Sequence, residues 1–188
     1  VRSPSAAEIE LIQSAAELAG IVIEHEQADK ALRQAEQRTR LLLESTTEGI
    51  FGLDLEGRAT FVNPAAARML GYTPEELVGH KVHDLVHGCD RDGRPILESD
   101  CRMLAASQYA QEHHVEDEVL WHKDGHCFPV EYWATPVGRN GLVEGAVVTF
   151  RDISARLQAE QEIRHLAFHD ALTDLPNRRQ FREELQRA

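Results

Sequence analysis

Seven of the ten histidines in this 188-residue chain fall between residues 80 and 126: His80, His83, His87, His113, His114, His122 and His126. The chemistry that such crowding suggests is metal binding, for which imidazole is the commonest ligand. His83 and His87 are the sharpest pair. They stand i, i+4 on a helix expected from Lys81 to His87, which puts both rings on one face as a metal site requires. His-Asp-Leu-Val-His lacks the glutamate of the metalloprotease motif, however, and spacing supplies no third ligand. The expectation is no metal, with His83 and His87 as the candidates if one binds.

The three cysteines, Cys89, Cys101 and Cys127, are odd in number, scattered and without C-x-x-C spacing. Neither a disulfide framework nor a tetrahedral zinc motif is indicated, so they read as reduced thiols. Paired carboxylates, a nucleophile beside a base, and a phosphate loop are not evident either. The segment is therefore not expected to be an enzyme.

A net charge of -12, from 32 acids against 20 bases, repels polyanions and argues against nucleic acid as a partner. Apolar runs such as Gly145-Ala146-Val147-Val148 are too short to cross a bilayer, so no membrane segment is expected. Val1-Arg2-Ser3-Pro4-Ser5 lacks the apolar stretch of a secretory signal, and the absence of an initiator Met suggests an excised piece. A cytoplasmic address follows as the default.

The elements that must position these residues are legible in outline. Ala6 to about Thr47 has one glycine, no proline and many Ala, Leu, Glu, Gln and Arg residues, which predicts one long helix or two end to end. Ile9, Ile12, Ala16, Ala19 and Ile23 step by three and four; Ala28, Leu32, Ala35, Thr39, Leu42 and Thr46 do so in another phase. A continuous helix would run roughly 60 Å at about 1.5 Å per residue, too long to bury its stripe on one small domain. A parallel homodimer accounts for it, against the alternative of an amphipathic helix folded back on its own domain.

Gly49 to Asp54 and Ala59 to Asn63, with Glu56-Gly57 between them, predict a hairpin. Asn63-Pro64 suits a helix start and Gly71 its end; Thr73-Pro74-Glu75-Glu76 repeats the capping logic for a helix stopping at Gly79. Gly88 to Pro95 reads as a loop, and Ser99 to Ser107 as a further helix with Cys101, Leu104 and Ala105 on one side. Three longer strands, Glu112 to His122, His126 to Val137 and Leu142 to Phe150, are joined by Asp124-Gly125 and Asn140-Gly141 turns into an antiparallel meander.

This order resembles the PAS domain over roughly residues 44–154. The matching residues are Asn63-Pro64-Ala65-Ala66, Gly71-Tyr72-Thr73-Pro74-Glu75-Glu76-Leu77-Val78-Gly79, Asp124-Gly125 with Pro129-Val130-Glu131, and Gly145 leading to Phe150-Arg151-Asp152-Ile153-Ser154. The resemblance implies an α+β PAS fold: a five-stranded antiparallel sheet with short helices on one face, flanked by long N-terminal and C-terminal signalling helices. In that family an Asp-Ile-Thr triplet joins the last strand to a signalling helix, and here Ser154 replaces Thr. The implied relay residues are Asp152, Ile153, Ser154 and Arg156. Asp152 and Arg156, four apart, are expected to pair across the exit, a contact of only about 0.3–0.5 kcal/mol that a small rearrangement could break. The helix from Arg156 to Phe168 would carry the motion onward.

The same resemblance implies a ligand pocket, for which Cys101, Met103, Leu104, Trp121, Tyr132 and Trp133 are the candidates. Haem could be held through Cys101 or Met103, and flavin against Trp121, Tyr132 and Trp133, although the cysteine motif of light-sensing flavin relatives is missing. The subtype has no universal ligand, and no cofactor is the leading expectation.

His169-Asp170-Ala171-Leu172-Thr173-Asp174-Leu175-Pro176-Asn177-Arg178-Arg179 resembles the opening segment of GGDEF diguanylate cyclase domains, over roughly the last twenty residues. Ala7 to Glu26 is similar to the closing helix of a GAF domain. Together these imply a linker helix over residues 1–43, the PAS domain over 44–154, a signalling helix over 155–168 and the start of a GGDEF domain over 169–188. The expected function is relay of a signal to a covalently linked diguanylate cyclase that makes cyclic di-GMP from GTP. The alternatives are a ligand-free dimerisation scaffold between an upstream GAF sensor and the output domain, or a haem or flavin sensor. A histidine kinase output is general for PAS proteins, but Asp170 to Arg179 speaks against it.

Overall fold

The computed structural model describes residues 6–168 and Asn177, with side chains described from Ile23 onward. The GGDEF-like stretch therefore lies outside the described residues except for Asn177. The chain divides into two compact units, residues 1–46 and 47–188.

The first unit is one continuous helix, α1 (Ala6–Ser45), rather than two. Ile23, Leu32, Leu41 and Leu42 are all exposed on it. No helix among the described residues is long and apolar enough to cross a membrane.

The second unit is built on five antiparallel strands: β1 (Gly49–Leu53), β2 (Ala59–Val62), β3 (His113–Trp121), β4 (Cys127–Arg139) and β5 (Leu142–Asp152). Their spatial order is β2-β1-β5-β4-β3, so the meander follows the chain while the first hairpin joins it through β1 and β5. The expected hairpin and meander are both present. Between β2 and β3 run α2 (Pro64–Leu70), α3 (Pro74–Leu77), a π-helical turn at His83–His87, a 3-10 turn at Glu98–Asp100 and α4 (Arg102–Tyr109). After β5 comes α5 (Ser154–Phe168).

Alternation along the strands decides which side of the sheet is dry. Phe128, Val130, Tyr132 and Ala134 of β4 are buried together with Ala146, Val148 and Phe150 of β5 and Phe51 and Leu53 of β1. Against them pack Ala66 and Leu70 of α2, Leu77 of α3, Val86 of the π turn, and Met103, Leu104 and Ala106 of α4. Each full burial of a large apolar side chain contributes about 1.5–3 kcal/mol. Phe51 and Phe150 meet with ring centroids 5.9 Å apart.

Local chemistry sets the joints. Asn63 caps α2 by accepting from Ala66 N–H at 2.8 Å, and its Oδ1 also accepts from Ile50 N–H at 2.8 Å while its amide donates to Glu48 C=O at 2.9 Å. One buried side chain thus fastens β1 to the helix that follows β2. Gly71 closes α2 with φ 74°, where a Cβ would be strained and would meet the His122 ring. At Gly145 a Cβ would meet the Leu53 carbonyl, so only glycine lets β5 lie this close to β1. The Glu76 carboxylate folds back on Thr73 N–H at 3.0 Å to start α3.

Two helical expectations change. The segment expected as an α-helix from Lys81 to His87 is a π-helical turn over His83–His87, whose wider closure brings His83, Val86 and His87 all inward. The helix expected at Ser99–Ser107 starts later, because Cys101 is extended (φ -76°, ψ 111°) and separates the 3-10 turn from α4. Ala105 is consequently only half-buried, whereas Met103, Leu104 and Ala106 face the core.

Candidate functional site

Two polar clusters lie on opposite faces of the sheet. On the helix side, the π turn delivers His83 and His87, the start of α4 delivers Cys101 and Arg102, and β3 and β4 deliver Glu118 and Tyr132. His87 is 1% exposed. Its Nε2 lies 2.8 Å from Glu118 Oε2 and its Nδ1 3.4 Å from Cys101 Sγ. The Tyr132 hydroxyl donates to the same Glu118 oxygen at 2.7 Å, and Arg102 approaches the other at 3.4 Å. His83 Nε2 is 3.0 Å from Ile96 C=O, while its Nδ1 is buried without a partner.

The electrostatics follow from these contacts. Burial by itself would lower the His87 pKa; hydrogen bonds to Cys101 and Glu118 outweigh it and push it up to about 9. Burial would raise Glu118, yet the bonds from His87 and Tyr132 hold it below the usual carboxylate value. Burial and the Glu118 charge together raise Tyr132, which stays a neutral donor.

On the other face, Glu131 of β4 is only 4% exposed. Arg151 of β5 donates to its Oε2 through Nε at 2.7 Å and through a second nitrogen, His114 of β3 lies 3.0 Å from Oε1, and Arg156 of α5 reaches Oε2 at 3.5 Å. The Arg151 hydrogen bonds, joined by His114, hold the Glu131 carboxyl below its ordinary range. Trp133 stacks on His114 at 4.5 Å and lies under the Arg151 guanidinium.

The expected relay contacts are thereby rearranged. Asp152 does not pair with Arg156: its carboxylate accepts from Ser154 N–H at 2.7 Å and so caps α5, a bond two residues away that leaves Arg156 to Glu131, Glu116 and Glu160. Ser154 is the first residue of α5. Ile153 is buried at 3% exposure and donates its N–H to Pro129 C=O at 3.1 Å, fastening the exit to β4. At the far end of α5, Asn177 donates to the Phe168 and Ala167 carbonyls at 2.7 and 2.8 Å.

The candidate pocket residues are split as well. Cys101, Met103, Leu104 and Tyr132 share the buried core. Trp121 instead donates to Cys89 C=O at 2.9 Å and borders a cavity of about 170 Å³ with Asp84, Leu85, Val86 and Gly88. Trp133 sits on the opposite face from Tyr132, because adjacent strand residues point to opposite sides. Glu118 and Glu131 were not among the expected residues. Glu118 is one of three consecutive acids, and a bulge in β3 between Val115 and Glu118 turns it inward, which residue types alone do not reveal.

A family model described as PAS fold matches residues 37–153. Probable diguanylate cyclase DgcE of Escherichia coli is 29% identical over 164 residues, covering 87% of this chain but 14% of that protein. Signal transduction histidine-protein kinase AtoS of Escherichia coli is 24% identical over 135 residues, covering 71% of this chain and 21% of that one. The chain thus spans a small part of the relatives it matches. The crystal structure of the PAS domain of an HTR-like protein from Haloarcula marismortui superposes with a TM-score of 0.54 at 20% identity, over 68% of this chain and 99% of that one.

Proposed function

This chain belongs to the PAS family, a regulatory module of signalling proteins, and from that membership we propose that it relays a signal through α5 to a linked GGDEF domain that makes cyclic di-GMP from GTP. The observation that carries the relay is the Glu131 cluster. One buried carboxylate on the central meander strand holds Arg151 of β5, His114 of β3 and Arg156 of the outgoing helix. A shift of these strands therefore changes what Arg156 can reach, and the fastened Ile153 exit passes that change to the helix. The similarity to DgcE supports the cyclase output over a kinase, as does the D-x-L-T-x-L-x-N-R stretch from Asp170 to Arg178.

In this reading α1 pairs with its copy to make a homodimer, as exposed Leu32, Leu41 and Leu42 favour, and GTP as substrate places the protein in the cytoplasm. The intact protein is then the enzyme and this segment its control element. No haem or flavin is required. The scaffold reading, dimerisation without sensing, shares α1 but gives Glu131 no role.

The test is a fusion of this chain to a GGDEF domain, assayed for cyclic di-GMP synthesis. Arg156→Ala and Glu131→Gln are expected to change the rate severalfold while leaving the dimer intact. Rates equal to the parent fusion in both variants would sink the relay and favour the scaffold.

A further inference from the structure

We infer that His83, His87 and Cys101 form a binding site for one divalent transition-metal ion of zinc-like softness, with a fourth coordination position open. The inference stands on the helix-side cluster and does not depend on the cyclase reading. One ring nitrogen of each histidine and Cys101 Sγ lie within 4.8 Å of one another, and all three residues are buried. Bond lengths of about 2.0 Å to nitrogen and 2.3 Å to sulfur put tetrahedral ligand atoms roughly 3.3–3.5 Å apart. His87 Nδ1 and Cys101 Sγ already stand 3.4 Å apart. The other two sides, each no longer than 4.8 Å, close with adjustments on the order of an ångström.

The hydrogen bonds behind the donors are those a metal site needs. A metal-binding histidine gives its other ring N–H to a carboxylate or a carbonyl, which fixes the tautomer and aims the lone pair. His87 Nε2 has Glu118 and His83 Nε2 has Ile96 C=O. A carbonyl only accepts, so Nε2 of His83 is the donor there, and the tautomer with its one proton on Nε2 holds its lone pair on Nδ1. That nitrogen is the buried one without a partner, in a residue 6% exposed. An unpaired buried acceptor is destabilising, and a cation would remove that cost.

One thiolate and two imidazoles suit a borderline-soft ion over calcium or magnesium, which take oxygen. Binding needs Cys101 as thiolate and a free lone pair on His87 Nδ1, so whatever protons these two atoms hold leave to solvent. Three protein ligands leave a position for water or a small molecule, the arrangement of an exchangeable rather than a closed site. The other histidine-rich cluster, His122, Asp124 and His126, differs: it is largely exposed, and both rings are already bonded to Asp124.

The test is titration of the reduced chain with Co²⁺, read by absorption, followed by competition with Zn²⁺. The expected result is one equivalent bound with a sulfur-to-cobalt charge-transfer band that Zn²⁺ abolishes. Cys101→Ser loses the band, His126→Ala keeps it, and Glu118→Gln keeps it with affinity lowered roughly 10–100-fold. Circular dichroism checks each fold; should Cys101→Ser fail to fold, His83→Gln replaces it and is expected to lose stoichiometric binding. A parent chain without the band, a band unchanged in Cys101→Ser or His83→Gln, or a band lost in His126→Ala overturns the assignment.

Discussion

Arg156, two residues into α5, reaches Glu131 on β4 at 3.5 Å and leaves Asp152, four residues behind it, to cap the helix. Through Arg156 the helix is thus tied to the middle of the meander as well as to its own strand end. Arg156→Ala should therefore loosen the first turn of α5 alone. Hydrogen exchange is expected to speed up a few-fold over residues 154–160 with β4 and β5 unchanged; uniform protection would remove the coupling.

Tyr132→Phe deletes a hydroxyl that donates to Glu118 in the buried cluster at 2.7 Å. A hydrogen bond to a charged partner contributes about 1.5–3 kcal/mol, so urea unfolding should show a loss of that size. An unchanged midpoint would mean that Glu118 is satisfied without Tyr132.

Acid should weaken the outer cluster. Glu131, facing Arg151, Arg156 and His114 with Glu116 nearby, has a folded pKa lowered from 4.5, chiefly by Arg151. Its contribution is present above the unfolded value and is lost as pH falls through the lower folded one. Thermal unfolding followed below pH 4.5 should show a steeper loss for the parent chain than for Glu131→Gln. Parallel pH profiles would contradict the assignment.

Leu32 and Leu42 are 59% and 65% exposed on α1. If their stripe is the dimer seam, light scattering gives twice the chain mass, and the double variant Leu32→Asp, Leu42→Asp returns it to one. A parent chain that is monomeric at high micromolar concentration removes the seam.

The cavity beside Trp121 holds about 170 Å³, below the ~300–1,000 Å³ of small-molecule pockets, and Trp133 lies across the sheet from Tyr132. Freshly purified protein is expected to show neither a Soret nor a flavin band. Either band would place a large planar ligand in the core and overturn this expectation.

Local rules made much of the fold readable from residues alone. Asn63-Pro64, Gly71, Thr73 to Glu76 and the Asn140-Gly141 turn each act within a few positions, so types and spacing sufficed to place the hairpin, the short helices and the meander. The exit from β5 into the helix that follows was readable for a similar reason, since Asp152 and Ser154 meet only two residues apart. What the sequence could not settle is which distant side chains meet. His87 finds Cys101 fourteen residues on and Glu118 thirty-one residues on, and Arg156 prefers Glu131 twenty-five residues back to Asp152 four back. Those choices depend on a π turn, a bulge in β3 and the register of β4 against β5. Each is set by the packing of the whole sheet against its helices, and none by the residues on either side of it.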